Sequence, residues 1–422
     1  MRRMGRGYIV EECVEKYLTN LSAAAGSCET GLFIGQCSAQ RDFVVLAVRT
    51  PHRDTESRST PSSLDSIDVE WVAEHARQVS RMLPGGVSVL GLFLIAPPEA
   101  SKEAQNTLKK LVFAMDKSVS KSKLWDPSED DVTERITLHI CSKTRKAICK
   151  TFDVKDPKCS AKPADWRYQS GISSSWPVIT CNVQLDVQIP VTSENVDMSI
   201  KDGLRTWAKQ IMAALCLING KAVTDDSELL SGPKKGTKAS QQQTVRAQIL
   251  VSSDADAGQM STAMVQECSG SVCVRGAVHC RSYIHPNKPK TRHAALALKR
   301  DVVNTVFNRV EMLLEDLHMN ERELASGQQD LPRRVFAPLS GSGLCVCDYI
   351  FPDESTADVA ERFKEMLGCE LTEGDVDTSM EAQTCCSILE ANDGCDDEAY
   401  RSLSTQSSTE IVPKKRAAIQ YA

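Results

Sequence analysis

The chain carries 17 cysteines and seven histidines, so thiol and metal chemistry are the first to test. A thiol becomes a nucleophile when an imidazole lies close enough to take its proton. Cys13, Cys28 and Cys37 precede His75 and His139, but nothing beyond residue type joins any of them into a dyad. A zinc ion needs close ligand pairs, so that short stretches of chain can reach one ion. Cys345-Val346-Cys347 and Cys385-Cys386 lack the Cys-x-x-Cys spacing. Cys268, Cys273, His279 and Cys280 fall at irregular intervals on strand-like sequence. No metal site is expected from these residues. The histidines (His52, His75, His139, His279, His285, His293, His318) include no pair separated by a single residue. A JAMM-type metalloprotease holds zinc with a His-x-His pair on a strand, a further Asp and an upstream Glu. Here the strand in the equivalent place, 87–95, has neither His nor Asp. Glu11 and Glu12 could imitate the glutamate but would have no ion to serve.

Two further constellations fail on spacing. The Gly-x-Ser-x-Gly elbow strains a serine onto a sharp turn; the stretch from Gly86 through Ser88 to Gly91 misses it by one residue and lies in strand-like sequence. The phosphate-cradling loop requires Gly-x-x-x-x-Gly-Lys-Ser/Thr between a strand and a helix. Gly232-Pro233-Lys234-Lys235-Gly236-Thr237-Lys238 has the wrong spacing and neither neighbour. No cofactor is expected. What remains is recognition. Trp166, Tyr168 and Trp176 stand in an irregular stretch, 156–177. Exposed aromatics dominate interface energies, which makes these three candidate partner-binding residues. Packing of the two tryptophans on the body of the protein is the competing reading.

These residues must be positioned by a mixed α/β (α+β) fold. Residues 31–35 and 43–48 read as the strands of a hairpin, with 38–42 as its turn. Val72, Ala76, Val79 and Leu83 recur at helical spacing, and Pro84-Gly85-Gly86 ends that helix. The run 87–96 is apolar on both faces, the pattern of a central strand covered on both sides. Ser101 is placed to cap a helix with the stripe Leu108, Leu111, Val112 and Met115. Strands at 136–141 and 147–149 follow. Beyond 178 the pattern predicts strands at 178–189, 245–251 and 263–266, then the pair 271–275 and 276–284. It also predicts helices at 204–217 and 292–319, closing strands at 335–339 and 344–351, and a short helix at 355–367. Pro338 marks the first closing strand as an edge. The expected organisation is one α/β domain over 1–165, a second over 166–369 and a disordered tail over 370–422.

Charge and composition narrow the classes further. Hydrophobic residues make up 41% and charged residues 25% of 422, which suits folded domains. The net charge of −6 argues against a general nucleic-acid binder. Residues 370–411 alone carry −10, leaving the rest of the chain at +4. The basic start, Met1 to Arg6, has no apolar run behind it, so no signal peptide is expected. The run 87–96 is about half the ~20 residues a membrane helix needs.

Several stretches carry a resemblance: Gly7-Tyr8-Ile9-Val10-Glu11-Glu12, Gly31-Leu32-Phe33-Ile34-Gly35-Gln36-Cys37-Ser38, and Glu74-His75-Ala76-Arg77 running on to Pro84-Gly85-Gly86. Further along come Pro163-Ala164-Asp165-Trp166-Arg167-Tyr168-Gln169-Ser170-Gly171 with Ser173-Ser174-Ser175-Trp176, Cys268-Ser269-Gly270-Ser271-Val272, and Tyr283-Ile284-His285-Pro286-Asn287-Lys288. Together, over roughly residues 4–369, they resemble the odorant-response-abnormal protein four (odr-4) family. The resemblance implies a non-enzymatic adaptor on the cytosolic face of the endoplasmic reticulum membrane. It would assist trafficking of a subset of G-protein-coupled receptors, odorant receptors among them, and anchor and activate the protease specific for the ubiquitin-fold modifier. It also implies that the first domain is similar to the MPN fold without its zinc motif. Members of the family usually end in a membrane helix. Here Lys414-Lys415-Arg416 suits a juxtamembrane flank, and the sequence then ends at Ala422 without an apolar span. The rival class is a thiol hydrolase using one of the cysteines.

Overall fold

The structure is a computed structural model. It describes residues 6–24, 28–38, 41–53, 64–128, 131–192, 195–223, 227–229, 242–251, 268–287, 289–320 and 327–390. The strand expected at 263–266, the glycine-lysine loop 232–238 and the basic cluster 414–416 lie outside these residues.

The first half builds one eight-stranded sheet. Its strands are β1 (Gly7–Glu11), β2 (Glu29–Gln36), β3 (Arg41–Arg49), β4 (Ser88–Ala96), β5 (Glu134–Cys141), β6 (Ala147–Asp153), β7 (Lys162–Pro163) and β8 (Asp165–Gln169), in the order β7-β6-β5-β4-β2-β3-β1-β8. β2 and β3 form the antiparallel hairpin that their alternating apolar residues predict. β4 runs between β2 and β5, and every residue of it from Val89 to Ala96 is buried. Leu92, Leu94 and Ala96 face the core shared with helices α2 (Val69–Arg81) and α3 (Ala104–Lys121), whereas Leu90, Phe93 and Ile95 face Val14 and Leu18 of α1 (Glu12–Ala24). That two-sided cover is why the strand is apolar throughout. Asp68 caps α2 by accepting from the N–H groups of Glu70 and Trp71. A 3-10 turn fills 98–102, and the N-cap position of α3 falls on Glu103 rather than on the expected residue 101.

The second half builds a seven-stranded sheet from β9 (Val178–Val191), β10 (Leu215–Ile218), β11 (Lys221–Ala222), β12 (Thr244–Leu250), β13 (Gly270–Tyr283), β14 (Gly327–Leu331) and β17 (Thr384–Glu390), in the order β11-β10-β12-β9-β13-β17-β14. β9 alternates buried and exposed residues from Cys181 to Val191. Its inner face packs against α4 (Val196–Ala213) and α5 (Thr291–Met319), which contribute Ile200, Leu204, Val302, Val306 and Val310. β13 is one continuous strand, in register with β9 over all 14 residues, rather than the expected pair. Gly276 lets it continue: at φ +131° the residue can only be glycine, since a Cβ there would sit 2.7 Å from the Thr384 side chain.

Three boundaries differ from the sequence reading. The division at 165/166 cuts through β8, which pairs in parallel with β1 and so belongs to the first sheet. The hairpin of β15 (Arg333–Pro338) and β16 (Cys345–Ile350), with α6 (Thr356–Leu367), packs back into the first core. Val335, Ala337, Val346, Val359 and Phe363 meet Val72, Ala76 and Leu92 there. Finally, the segment read as the start of a disordered tail is built into the protein as far as Glu390. Val376 and Cys386 are buried, and β17 inserts between β13 and β14. Its own residues Cys385, Cys386, Ile388 and Leu389 are apolar, but its partners β13 and β14 come from distant chain and acidic residues precede it, which concealed it.

Candidate functional site

Of the three aromatics singled out from sequence, β8 presents two. Trp166 and Tyr168 are two residues apart and so share one face of the strand. Trp166 is half-buried, with ring centroids 5.0 Å from Phe33 and 6.4 Å from Tyr8. Tyr168 stands edge-on to it at 6.0 Å and is 38% exposed. On the other face Arg167 and Asp165 pair with each other in solvent at 2.8 Å. β8 is the terminal strand of its sheet, and β1 occupies one side of it. An edge strand offers the backbone groups of its free side to an added strand, with alternate side chains supplying selectivity. Trp176 is different: it is fully buried. It stands edge-on to Phe43 at 6.1 Å among Val178, Tyr283, Leu339 and Leu344, where the two halves of the chain meet. It cannot face a partner without unfolding the junction, so for this residue packing is the correct reading.

The loop between β8 and β9 is fixed by Glu11. The carboxylate of Glu11 accepts hydrogen bonds from the Gly171 N–H at 2.6 Å, the Ser173 N–H at 3.2 Å and the Ser173 hydroxyl at 3.2 Å. The residue that could imitate a protease glutamate is thus engaged in holding a loop. Glu12 bonds the Ser170 hydroxyl beside it.

The junction of the two halves has a polar interior that went unseen in the sequence. Gln36 donates to the carbonyls of Gly86 and Tyr283, both at 2.7 Å, and accepts from the His285 N–H at 2.7 Å. Gly85 and Ser282 form a parallel bridge alongside. Arg334, on β15, makes a two-pronged ion pair with Asp301 on α5 at 2.8 and 2.9 Å. It also reaches the Thr305 hydroxyl at 2.7 Å and the Cys347 thiol at 3.1 Å. Arg309 pairs with Glu381, which also accepts from the backbone N–H groups of Arg334 and His279. All four charged groups are 2% exposed or less at the side chain. Buried charges of this kind persist only when paired.

Burial makes several of the thiols poor nucleophiles. Burial pushes Cys37, Cys149 and Cys386 up to about 12, and Cys181, Cys347 and Cys369 up to about 11. Cys13 and Cys28 are raised by the same cause. Cys141 is drawn below the usual thiol range by hydrogen bonds to Thr144. His75 meets the Met366 carbonyl at 3.0 Å, and His279 meets the Asn182 side chain at 2.7 Å. Burial lowers His75 to about 4. Among the described residues no group of three or more His, Cys, Asp or Glu side chains is arranged to hold a metal ion. Likewise, no helix among them is long and apolar enough to cross a membrane.

The family model and the sequence relatives agree on one family. Residues 31–378 match the family described as "ODR4-like: Odorant response abnormal 4-like". The "Protein odr-4 homolog" of Gallus gallus is 47% identical over 404 residues, covering 92% of this chain and 91% of that one. Its counterpart from Homo sapiens is 45% identical over 418 residues, covering 94% and 91%. Among solved structures, "Crystal structure of UfSP from C.elegans" aligns at a TM-score of 0.43 with 7% identity, covering 86% of this chain and 56% of that one.

Proposed function

Because this chain belongs to the ODR4-like family, we propose that it is a non-enzymatic adaptor on the cytosolic face of the endoplasmic reticulum membrane. It assists trafficking of a subset of G-protein-coupled receptors, odorant receptors among them. It also anchors and activates the protease specific for the ubiquitin-fold modifier. The first sheet is, in this reading, an MPN-like scaffold used for contact. The observation that carries the proposal is identity of 47% spread over nine-tenths of both chains, which makes the shared property one of the whole fold.

The physics of the surface agrees with this reading. The paired charges of the interior are consumed by one another, burial raises the thiols of Cys37, Cys149 and Cys386, and β8 is a terminal strand with a part-exposed tyrosine. The test is cleavage of a modifier-fusion substrate. The chain alone should leave it intact, while adding the chain to its protease should raise turnover and retain the protease on endoplasmic reticulum membranes. Cleavage by the chain alone would overturn the proposal. One observation favours a second reading, a thiol hydrolase: Cys141 is drawn below the ordinary thiol range. Loss of such cleavage in Cys141→Ser would establish it.

A further inference from the structure

Residues 143–162 hold seven basic side chains against two acidic ones, a balance of +5. The whole chain carries −6, so everything outside this stretch sums to −11. The positive charge gathers on one part of the first sheet. β6 follows β5 through a tight turn, and the six consecutive residues from Lys143 to Ile148 are exposed. Alternate residues of a strand share a face, so Lys146, Ile148, Lys150 and Phe152 form one row on β6. Phe152 is buried in the core that α3 covers. Lys150 stands at the margin of that cover, where its ammonium donates to the Gln105 side chain of α3. Beyond it the row emerges into solvent, with Ile148 39% exposed between two lysines. Lys109 of α3 donates to the Cys159 carbonyl at 3.0 Å, which ties down the loop carrying the exposed Lys155 and Lys158. Lys143 pairs with Glu99 at 3.0 Å, with both side chains about two-thirds exposed. Among the described residues no carboxylate forms an ion pair with Arg145, Lys146, Lys150, Lys155 or Lys158.

Guarding of a sheet edge accounts for part of this. β7 is two residues long and pairs only with Lys150 and Thr151, so Ala147 and Ile148 lie past the end of its cover. Charged side chains keep such an edge from pairing with another chain. That need is met by charge of either sign, and it does not call for an exposed isoleucine in the middle of the cations. A branched aliphatic ringed by lysines fits an anionic lipid leaflet: the ammonium groups meet headgroup phosphates and carboxylates, and the apolar side chain enters the headgroup boundary. Nucleic acid is the other common polyanion, but surfaces that bind its single strands add aromatic faces for the bases. Here six of the seven cations are lysine, and Phe152, the one aromatic residue of the stretch, is buried. We propose that the row Lys146-Ile148-Lys150, with Lys143, Arg145 and Lys158 around it, is a docking surface for an anionic lipid bilayer. The proposal rests on the adaptor reading only for which membrane is met.

The test is co-sedimentation of the purified full chain with vesicles of phosphatidylcholine containing about 30% phosphatidylserine, and with phosphatidylcholine alone, at about 0.1 M salt. Binding should require the anionic lipid and fall more than tenfold at about 1 M salt, where the screening length shrinks to ~3 Å. A cation beside an anionic leaflet raises partitioning about fivefold. Arg145→Glu, Lys146→Glu and Lys150→Glu together should therefore lower it at least a hundredfold. Ile148→Ser keeps every charge and should lower it at least threefold. Lys201→Glu, Lys209→Glu and Lys221→Glu together make the same change of charge at exposed positions of the second half, and should leave binding within about threefold of the parent. Melting curves matching the parent's show each variant folded. Absence of binding to anionic vesicles would overturn the proposal, as would binding that survives in the 145/146/150 variant or is unchanged in Ile148→Ser. Equal losses in the two triple variants would overturn it too, by assigning the effect to net charge. Capture of single-stranded RNA that depends on the row, without vesicle binding, would give the surface to nucleic acid instead. The modifier-fusion assay separates the two readings: its failure beside intact vesicle binding would remove the adaptor and leave the docking surface.

Discussion

Asp301→Ala isolates the buried ion pair that joins β15 to α5. Both carboxylate oxygens of Asp301 receive the Arg334 guanidinium, and the same carboxylate accepts the Arg281 N–H at 2.9 Å. Asp301 is 1% exposed and Arg334 2%. Truncation would leave the guanidinium with the Thr305 hydroxyl and the Cys347 thiol as partners, and no compensating charge within its bidentate reach. Removing one member of a buried pair costs about 3–5 kcal/mol. At roughly 2 °C per kcal/mol for a large cooperative unit, the melting temperature should fall by about 6–10 °C. Asp301→Leu combined with Arg334→Met removes both charges and restores apolar volume. The double variant should therefore recover most of that loss and melt closer to the parent than either single variant does. Thermal unfolding of the parent, Asp301→Leu, Arg334→Met and the double variant gives the cycle, and hydrogen exchange in β13, β15 and α5 localises it. A single variant melting within about 2 °C of the parent would refute the reasoning, as would a double variant whose loss equals the sum of the two singles.

Other outcomes follow from the same structure. Gln36→Ala orphans the Gly86 and Tyr283 carbonyls and the His285 N–H at the junction; about 1–3 kcal/mol of stability should be lost, read as a lower denaturant midpoint. His75 is held neutral by burial with its pKa near 4, below the unfolded value of about 6.5. The unfolded chain then binds the extra proton, so this contribution is complete above pH 6.5 and disappears as the pH falls toward 4, by about 1.4 kcal/mol per unit. His75→Gln should flatten the pH dependence of melting across that window, and an unchanged slope would contradict the assignment. Tyr168→Ala with Arg167→Glu changes the exposed side chains of β8. The variant should melt within about 1 °C of the parent, since surface changes stay near ±0.5 kcal/mol, yet lose recovery of the modifier-specific protease from cell extract. Full recovery would remove β8 from the contact surface.

Much of the scaffold can be read from side-chain period alone. The hairpin of β2 and β3, the two-sided apolar run of β4 and the long stripe of α5 each advertise their burial over enough residues to stand above noise. The remainder depended on distant partners. β1 is five residues long behind a basic start, and only its pairing with both β3 and β8 makes it a strand. β17 reads as polar tail because its neighbours β13 and β14 are supplied from elsewhere in the chain. Gly276 resembles a strand break, although β13 passes through it in an unusual backbone conformation. The charges of the junction were the least legible. Asp301 and Arg309 stand on the buried side of α5, where periodicity predicts apolar residues, and their partners Arg334 and Glu381 are 33 and 72 residues away. Of the candidate contacts, Trp166 and Tyr168 fall on an exposed edge and Trp176 inside, a distinction set by pairing with β1.

The adaptor account is tested most directly by measuring hydrolysis of a ubiquitin-fold-modifier fusion with the purified chain alone, the protease alone and the two together on endoplasmic reticulum membranes. The account predicts no turnover from the chain alone, and turnover by the protease that rises and becomes membrane-associated when the chain is present. Turnover by the chain alone, or a protease indifferent to it in both rate and location, would contradict it.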